Sequence, residues 1–375
     1  MKFSEVIGHE DAKSALRAMA DSGRIPHAIM LHGPAGIGKT RLARAFMQYV
    51  GCTRRSGGDS CGVCPSCRQT SSLNNPDIHY VYPVLKKDNR KVSADYAEEW
   101  RRMLSEHDYM QPEAWMDIIQ AGNSQPLIYV DESEEITRSA NMAAYTSDYK
   151  FYLVWLPEKL KVEAANKLLK LVEEPFPDTV FILVSNDPGG VLQTISSRTR
   201  RLELNRLPDA EIAGWMQRHG APPEEAARIA ALAQGNAARA QELRQGSGES
   251  AEFADYFMAA MRNAYAMNAV AIKELADRFA GLGREKGMRL LDYFSRQVRE
   301  NFILNLKVPP LNSLTPGEEQ FGSRFAPFIH AGNVEHIIGE IDRARRDIGG
   351  NANAKLIWFD FLLRLMRHLR RKPPV

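Results

Sequence analysis

Cysteine is scarce in this chain, with four in 375 residues. All four fall between positions 52 and 67, which excludes a disulfide framework spread over a secreted fold and points to one local site. Long apolar runs are missing as well. No stretch approaches the roughly 20 residues needed to cross a bilayer, and the opening MKFSEVIGHEDAK lacks the apolar segment of a secretory signal. The expectation is a cytoplasmic protein with no membrane contact. Neither sign of charge dominates: 49 Lys and Arg against 46 Asp and Glu leave +3, too small a bias to argue nucleic-acid binding from bulk charge. What is present is an ordinary globular composition, 44% hydrophobic and 25% charged, which excludes a disordered or fibrous chain. At about 150 residues per domain, the length predicts two to three domains.

Residues 28–32 (AIMLH) form a short apolar run that ends in a Gly-rich turn, and KTRLARAFMQYV follows with apolar residues at helical spacing. That is strand, loop, helix. HYVYPV (79–84) follows the cysteines, and then a polar, helix-like stretch from about 93 to 120 carries Tyr96, Trp100, Met103 and Leu104 with no chemistry of its own. From 151 onward FYLVWL, VEAANKLLKLVEE, TVFILVS and RRLELNRL alternate continuous apolar runs with helical periodicity, as in a parallel sheet covered on both faces. Pro208 opens two short helices, GSGES (246–250) reads as a linker, and nearly everything from 252 to 371 reads as helix, interrupted around KVPPLNSLTPGEE.

Gly33-Pro34-Ala35-Gly36-Ile37-Gly38-Lys39-Thr40 satisfies G-x-x-x-x-G-K-[ST] in full, in the strand-loop-helix setting that its physics requires. The glycines let backbone N–H groups turn inward around a phosphate, and the helix N-terminus adds its positive dipole end. Lys39 can reach the β and γ oxygens, and the Thr40 hydroxyl can ligate Mg²⁺. ATP or ADP, with Mg²⁺, is the expected ligand.

Hydrolysis needs acids in addition, at the end of a neighbouring apolar strand. Two segments compete for that role. LIYVDE offers Asp131 and Glu132, whereas FYLVWLPEKL is the better buried strand but ends in Trp155, Leu156 and Pro157.

The cysteines Cys52, Cys61, Cys64 and Cys67 are spaced C-x8-C-x2-C-x2-C. Four thiolates complete a closed tetrahedral shell around Zn²⁺, which leaves no open position to activate water, so such a site is structural.

EAANKLLKLVEEP followed by TVFILVSNDPGGVLQTISSRT resembles the stretch shared by bacterial clamp-loader ATPases, and GRIPHAIMLHGPAGIGKT, the four cysteines and NANAKLIWFDFLLRL add to the likeness. The chain is therefore similar to delta-prime-type subunits of bacterial DNA polymerase III clamp loaders, which are AAA+ proteins. The resemblance is most specific over the first 205 residues. It implies a P-loop AAA+ α/β domain with a zinc-binding insertion (1–205), a small helical lid (206–250) and an all-α collar domain (251–375). In the alignment it implies, the family's catalytic acids fall on Trp155 and Leu156, and its last acid falls on Glu158. Asp131 and Glu132 then become the first turn of a helix, favourably placed on its dipole. An ATPase of the gamma/tau type that uses those two acids is the alternative.

The resemblance further implies that Arg198, in Ser197-Arg198-Thr199, points across a subunit boundary to a neighbour's γ-phosphate. Thr199 stands where the family has Cys. Ser185 and Asn186 fall at its nucleotide-sensing position, Arg239 on its lid, and Ile7 and Gly8 near the adenine. The implied assembly is a hetero-pentamer with gamma/tau-type and delta-type subunits that places a sliding clamp on primed DNA, in which this chain's own ATP turnover is weak or absent.

Overall fold

The computed structural model describes residues 1–122, 124–142, 144–245, 248–306, 314, 316–350 and 352–371. Two compact units divide it, Met1–Leu243 and Arg244–Val375. Among the described residues no helix is long and apolar enough to cross a membrane.

The first unit is built on five strands: β1 (Ala28–His32), β2 (Ile78–Val81), β3 (Lys150–Trp155), β4 (Thr179–Ser185) and β5 (Arg200–Glu203). They form one sheet in the order β2-β3-β4-β1-β5, with every pairing parallel. β1, β3 and β4 are buried along their whole length, because helices cover both faces of the sheet and leave no position for a polar alternation. Two apolar clusters lie on the two sides. One gathers Phe46, Phe151, Leu153 and Trp155, and the other gathers Met30, Tyr152, Leu168 and Leu183.

The helices of this unit are α1 (Glu10–Asp21), α2 (Lys39–Val50), α3 (Pro65–Ser71), α4 (Ala97–Glu106), α5 (Pro112–Ile118), α6 (Val130–Ala140), α7 (Val162–Glu173), α8 (Gln193–Ser196), α9 (Asp209–Arg218), α10 (Pro223–Ala233) and α11 (Ala237–Gln245). In register, His32 of β1 pairs with Ser185 of β4, and Trp155 of β3 pairs with Val184. The C-terminal ends of the three central strands thus reach one edge, where a parallel α/β sheet binds its ligands. α9, α10 and the start of α11 share a small apolar core with Ile7 and Tyr109, built on Ile212, Trp215, Met216 and Ile229.

The second unit is all helix: α12 (Gly248–Tyr265), α13 (Ala269–Ala280), α14 (Arg284–Asn305), α15 (Pro316–Phe325), α16 (Val334–Gly349) and α17 (Ala354–Leu369). Phe257, Phe279, Phe294 and Trp358 fill its centre in edge-to-face contacts, the geometry that ring quadrupoles favour. The parallel α/β sheet and the all-α C-terminal part expected from the sequence are both present, and the helices of the expected lid lie within the first unit. Within the expected linker GSGES, residues 246 and 247 lie outside the described residues, as do 307–313 and 315 of the expected helix interruption.

Candidate nucleotide site and cysteine cluster

The loop after β1 turns through positive φ at Gly33 (147°), Gly36 (74°) and Gly38 (99°), conformations that only glycine takes without strain. Space is as restrictive as torsion. A Cβ on Gly33 would lie 2.1 Å from the Leu204 carbonyl oxygen, and one on Gly36 would lie 2.2 Å from Asn236 Oδ1, at the start of α11. The Ala238 N–H donates to the Gly36 carbonyl at 3.1 Å, so the lid touches the phosphate loop directly. His9, at the start of α1, reaches the Ile37 carbonyl at 2.8 Å.

Gly38 caps α2, whose first residues are Lys39 and Thr40, both buried. The Lys39 ammonium donates to the carbonyls of Gly33 (2.7 Å) and Pro34. Burial depresses its pKa to about 7, partly opposed by the Glu158 carboxylate, and a bound phosphate would restore its charge.

At the end of β3 stand the residues that the resemblance aligns with the family's acids. Trp155 is buried and packs on Trp100 of α4, with ring centroids 5.5 Å apart. Trp100 stacks on Tyr82 at 4.0 Å, and Trp115 of α5 stands edge-on to both. Leu156, also buried, leaves the strand at φ 58°, a region few non-glycine residues occupy. Apolar packing therefore fills the end of β3. Glu158 instead accepts from the Ser185 hydroxyl (2.9 Å) and the Asn186 N–H (3.0 Å), tying the ends of β3 and β4 together.

Asp131 and Glu132 lie in the first turn of α6, as the dipole reading expects. Asp131 pairs with Lys86 at 2.5 Å. Glu132 is buried and accepts from both the N–H (2.6 Å) and the hydroxyl (2.9 Å) of Ser93. Neither lines the cleft over the phosphate loop. LIY, just before them, makes only isolated bridges from Leu127 to Val84 and from Ile128 to Leu160.

Periodicity did not reveal that the stretch around 93–120 covers this cleft. Leu104, Asp108, Tyr109 and Met110 line it together with Thr40, Trp155 and Asn186, leaving a cavity of about 20 Å³. Asp108 is the one carboxylate among the described lining residues, and it is held by Arg41 at 2.5 Å. The only available signal was Trp155 itself: a tryptophan at a strand end needs apolar partners, and Trp100 and Trp115 lie in the insertion.

Arg198 follows α8 and is exposed, donating to Thr194 O (3.1 Å) and pairing with Glu173 at the end of α7 (2.8 Å). Gly8 has φ 56°, and a Cβ there would strike Glu211 Oε2 of α9 at 2.0 Å, so the entry to α1 is pressed against the lid. Arg239 lies in α11.

The four cysteines converge. Cys52 follows α2, Cys61 sits in the loop, Cys64 precedes α3 and Cys67 lies within it, and all four Sγ atoms fall within 4.8 Å of one another. Thiolates about 2.3 Å from a tetrahedral Zn²⁺ stand roughly 3.8 Å apart, and Cys61 and Cys67 are separated by 4.0 Å. Backbone N–H groups of Cys61 (3.2 Å) and Arg54 (3.4 Å) donate to Cys52 Sγ, and that of Cys64 donates to Cys61 Sγ (3.3 Å). Such donors stabilise thiolate charge around a metal. The cluster fits a closed structural metal site. Its loop also anchors the chain's start, with Asp59 accepting from the N–H groups of Phe3 (2.9 Å) and Ser4 (3.0 Å).

Residues 8–208 match the family described as DNA polymerase III, delta subunit. The DNA polymerase III subunit delta' of Pseudomonas aeruginosa is 30% identical over 220 residues, 58% of this chain and 55% of that protein. The DNA polymerase III subunit gamma/tau of Mycobacterium bovis is 29% identical over 216 residues, 58% of this chain and 31% of that protein. The chain thus spans less than two thirds of either relative. Among solved structures, the Holliday junction branch migration motor RuvB of Thermotoga maritima superposes with a TM-score of 0.39 at 14% identity, covering 80% of this chain and 78% of that one. So weak a superposition adds nothing to the sheet order and phosphate loop already described.

Proposed function

The chain belongs to the DNA polymerase III delta subunit family, and from that membership we propose that it is a delta-prime-type subunit of a clamp loader, catalytically quiet at its own site. Residues 33–40 hold ATP or ADP, which it hydrolyses weakly or not at all. The observation that carries this reading is the end of β3, where Trp155 and Leu156 are committed to apolar packing beside a complete phosphate loop. A Mg²⁺ ion bound with nucleotide would neutralise phosphate charge. Of the acids that could place it, Asp131 is paired with Lys86 and Glu132 is bonded to Ser93.

Arg198 acts in trans. It is exposed, and its pairing with Glu173 is of the solvent-accessible kind that costs little to exchange for a neighbour's phosphate. A guanidinium at a γ-phosphate spreads the charge that develops in phosphoryl transfer. Zn²⁺ on Cys52, Cys61, Cys64 and Cys67 is structural. The partners are gamma/tau-type and delta-type subunits in a hetero-pentamer, the sliding clamp, and primed DNA reached through the complex.

Steady-state ATP turnover measured on the purified chain, then on the reconstituted loader with primed DNA, tests this reading. Turnover is expected only in the assembly. Substantial turnover by the chain alone, abolished by Asp131→Asn, would overturn the reading in favour of a gamma/tau-type ATPase.

A further inference from the structure

The surface above the phosphate loop is covered by the chain itself. Tyr109, 3% exposed, lies over the loop so closely that a Cβ on Gly38 would stand 3.2 Å from its ring. The ring also stands at a steep angle to Trp215 of α9, with centroids 5.5 Å apart. Arg41, the residue after Thr40, lies 5.2 Å from the ring centroid, close enough for a cation–π contact. The same guanidinium bonds Asp108 Oδ1 at 2.5 Å and Glu5 O at 3.1 Å. Met110 and Leu104 complete the cover. The remaining cavity, about 20 Å³, is far below the roughly 300 Å³ or more of a small-molecule site.

Two features mark the arrangement as displaceable. The Tyr109 hydroxyl is buried with no hydrogen-bond partner among the described residues, a state that is unfavourable compared with exposure to water. The Arg41–Asp108 pair is half-exposed on its acidic side, so water can replace it. The Lys39 ammonium meanwhile rests on carbonyls of its own loop, bonds that a phosphate oxygen can take over.

We infer that Asp108-Tyr109-Met110 is a built-in plug of the phosphate loop, which a nucleoside triphosphate must displace in order to bind. The inference rests on the reading of residues 33–40 as a phosphate loop and adds to it a competition between nucleotide and the chain's own insertion. Apparent affinity then falls in proportion to the open fraction. An open state populated at about 0.1–10% weakens binding about 10- to 1,000-fold, and removing the plug restores that factor.

The test uses the full chain, Mg²⁺ and a fluorescent N-methylanthraniloyl-ATP, with binding followed by anisotropy. Tyr109→Ala removes the ring. Asp108→Ala only releases the Arg41 link and leaves the apolar core intact, so it carries the test if the first variant folds poorly. Tyr109→Ala is expected to tighten binding at least tenfold and Asp108→Ala about two- to fivefold, as suits a half-exposed pair, and adding Lys39→Ala should abolish either gain. Hydrogen exchange gives a second measure: amides of residues 104–111 should exchange faster when Mg-ATP is added, the reverse of ordinary protection by a ligand. If wild type binds as tightly as both variants, or if neither folded variant binds at all, the plug is refuted. Failure of the functional reading would show separately, as ATP turnover by the purified chain.

Discussion

Glu132→Gln separates two accounts of one carboxylate. In the folded chain Glu132 is 5% exposed. Burial raises its pKa from 4.5 to about 7; the two bonds from Ser93 oppose the rise, and the charges of Asp95 and Asp131 add to it. The unfolded chain releases this proton near the ordinary value, so between about 4.5 and 7 the folded state binds more protons than the unfolded one. Stability conferred at this site therefore falls as pH rises through that window and is level above it. At 1.36 kcal/mol per unit, the loss above pH 7 is about 3 kcal/mol.

Glutamine keeps an oxygen to accept from Ser93 and carries no charge at any pH. Glu132→Gln should thus be more stable than wild type at pH 8 by about 1–3 kcal/mol, the lower figure allowing for loss of the charge-assisted bonds. Near pH 5 the two should be close to equal. Urea titration followed by tryptophan fluorescence measures this in the first unit, because Trp100, Trp115, Trp155 and Trp215 all lie there and only Trp358 lies outside it. A difference between the variants that does not change from pH 5 to pH 8, or a variant less stable at pH 8, would refute the buried-carboxyl argument. Loss of ATP turnover in the same variant would instead mark Glu132 as a working acid.

Trp155→Ala empties the centre of the aromatic cluster and should cost about 3–5 kcal/mol, read as an earlier urea midpoint for the first unit. Cys64→Ser removes one of four ligands, and metal analysis of protein purified under reducing conditions should fall from one zinc per chain to well below one. No zinc in the unoxidised wild type would remove the structural site. Arg198→Ala should leave the chain's own stability within about 0.5 kcal/mol, since its pairing is exposed. In a reconstituted loader it should lower turnover at the neighbouring site by on the order of 10³-fold. Full activity of that assembly would refute the trans role.

How much could be read from the sequence depended on how local each feature is. The phosphate loop was legible because its three glycines, lysine and threonine fall within eight consecutive residues, and the glycines' positive φ angles are set within the turn itself. The cysteine cluster was legible for the same reason, with all four cysteines inside sixteen residues. Strands β3 and β4 announced themselves as continuous apolar runs, since a strand buried on both faces has no polar alternation to hide it. Asp131 and Glu132 were ambiguous from pattern alone, because four largely apolar residues before two acids fit a strand end and a helix start equally well.

The sequence by itself determined that this chain carries a phosphate loop without acids at the end of β3, a four-thiol cluster and an α/β sheet followed by helices, because each is written in neighbouring residues. Only the tertiary structure decided what stands over that loop. Tyr109 meets Gly38 from about seventy positions away, and no periodicity records so distant a contact. Trp155 meets Trp100 for the same reason: burial of large rings, not adjacency in the chain, selects the partner.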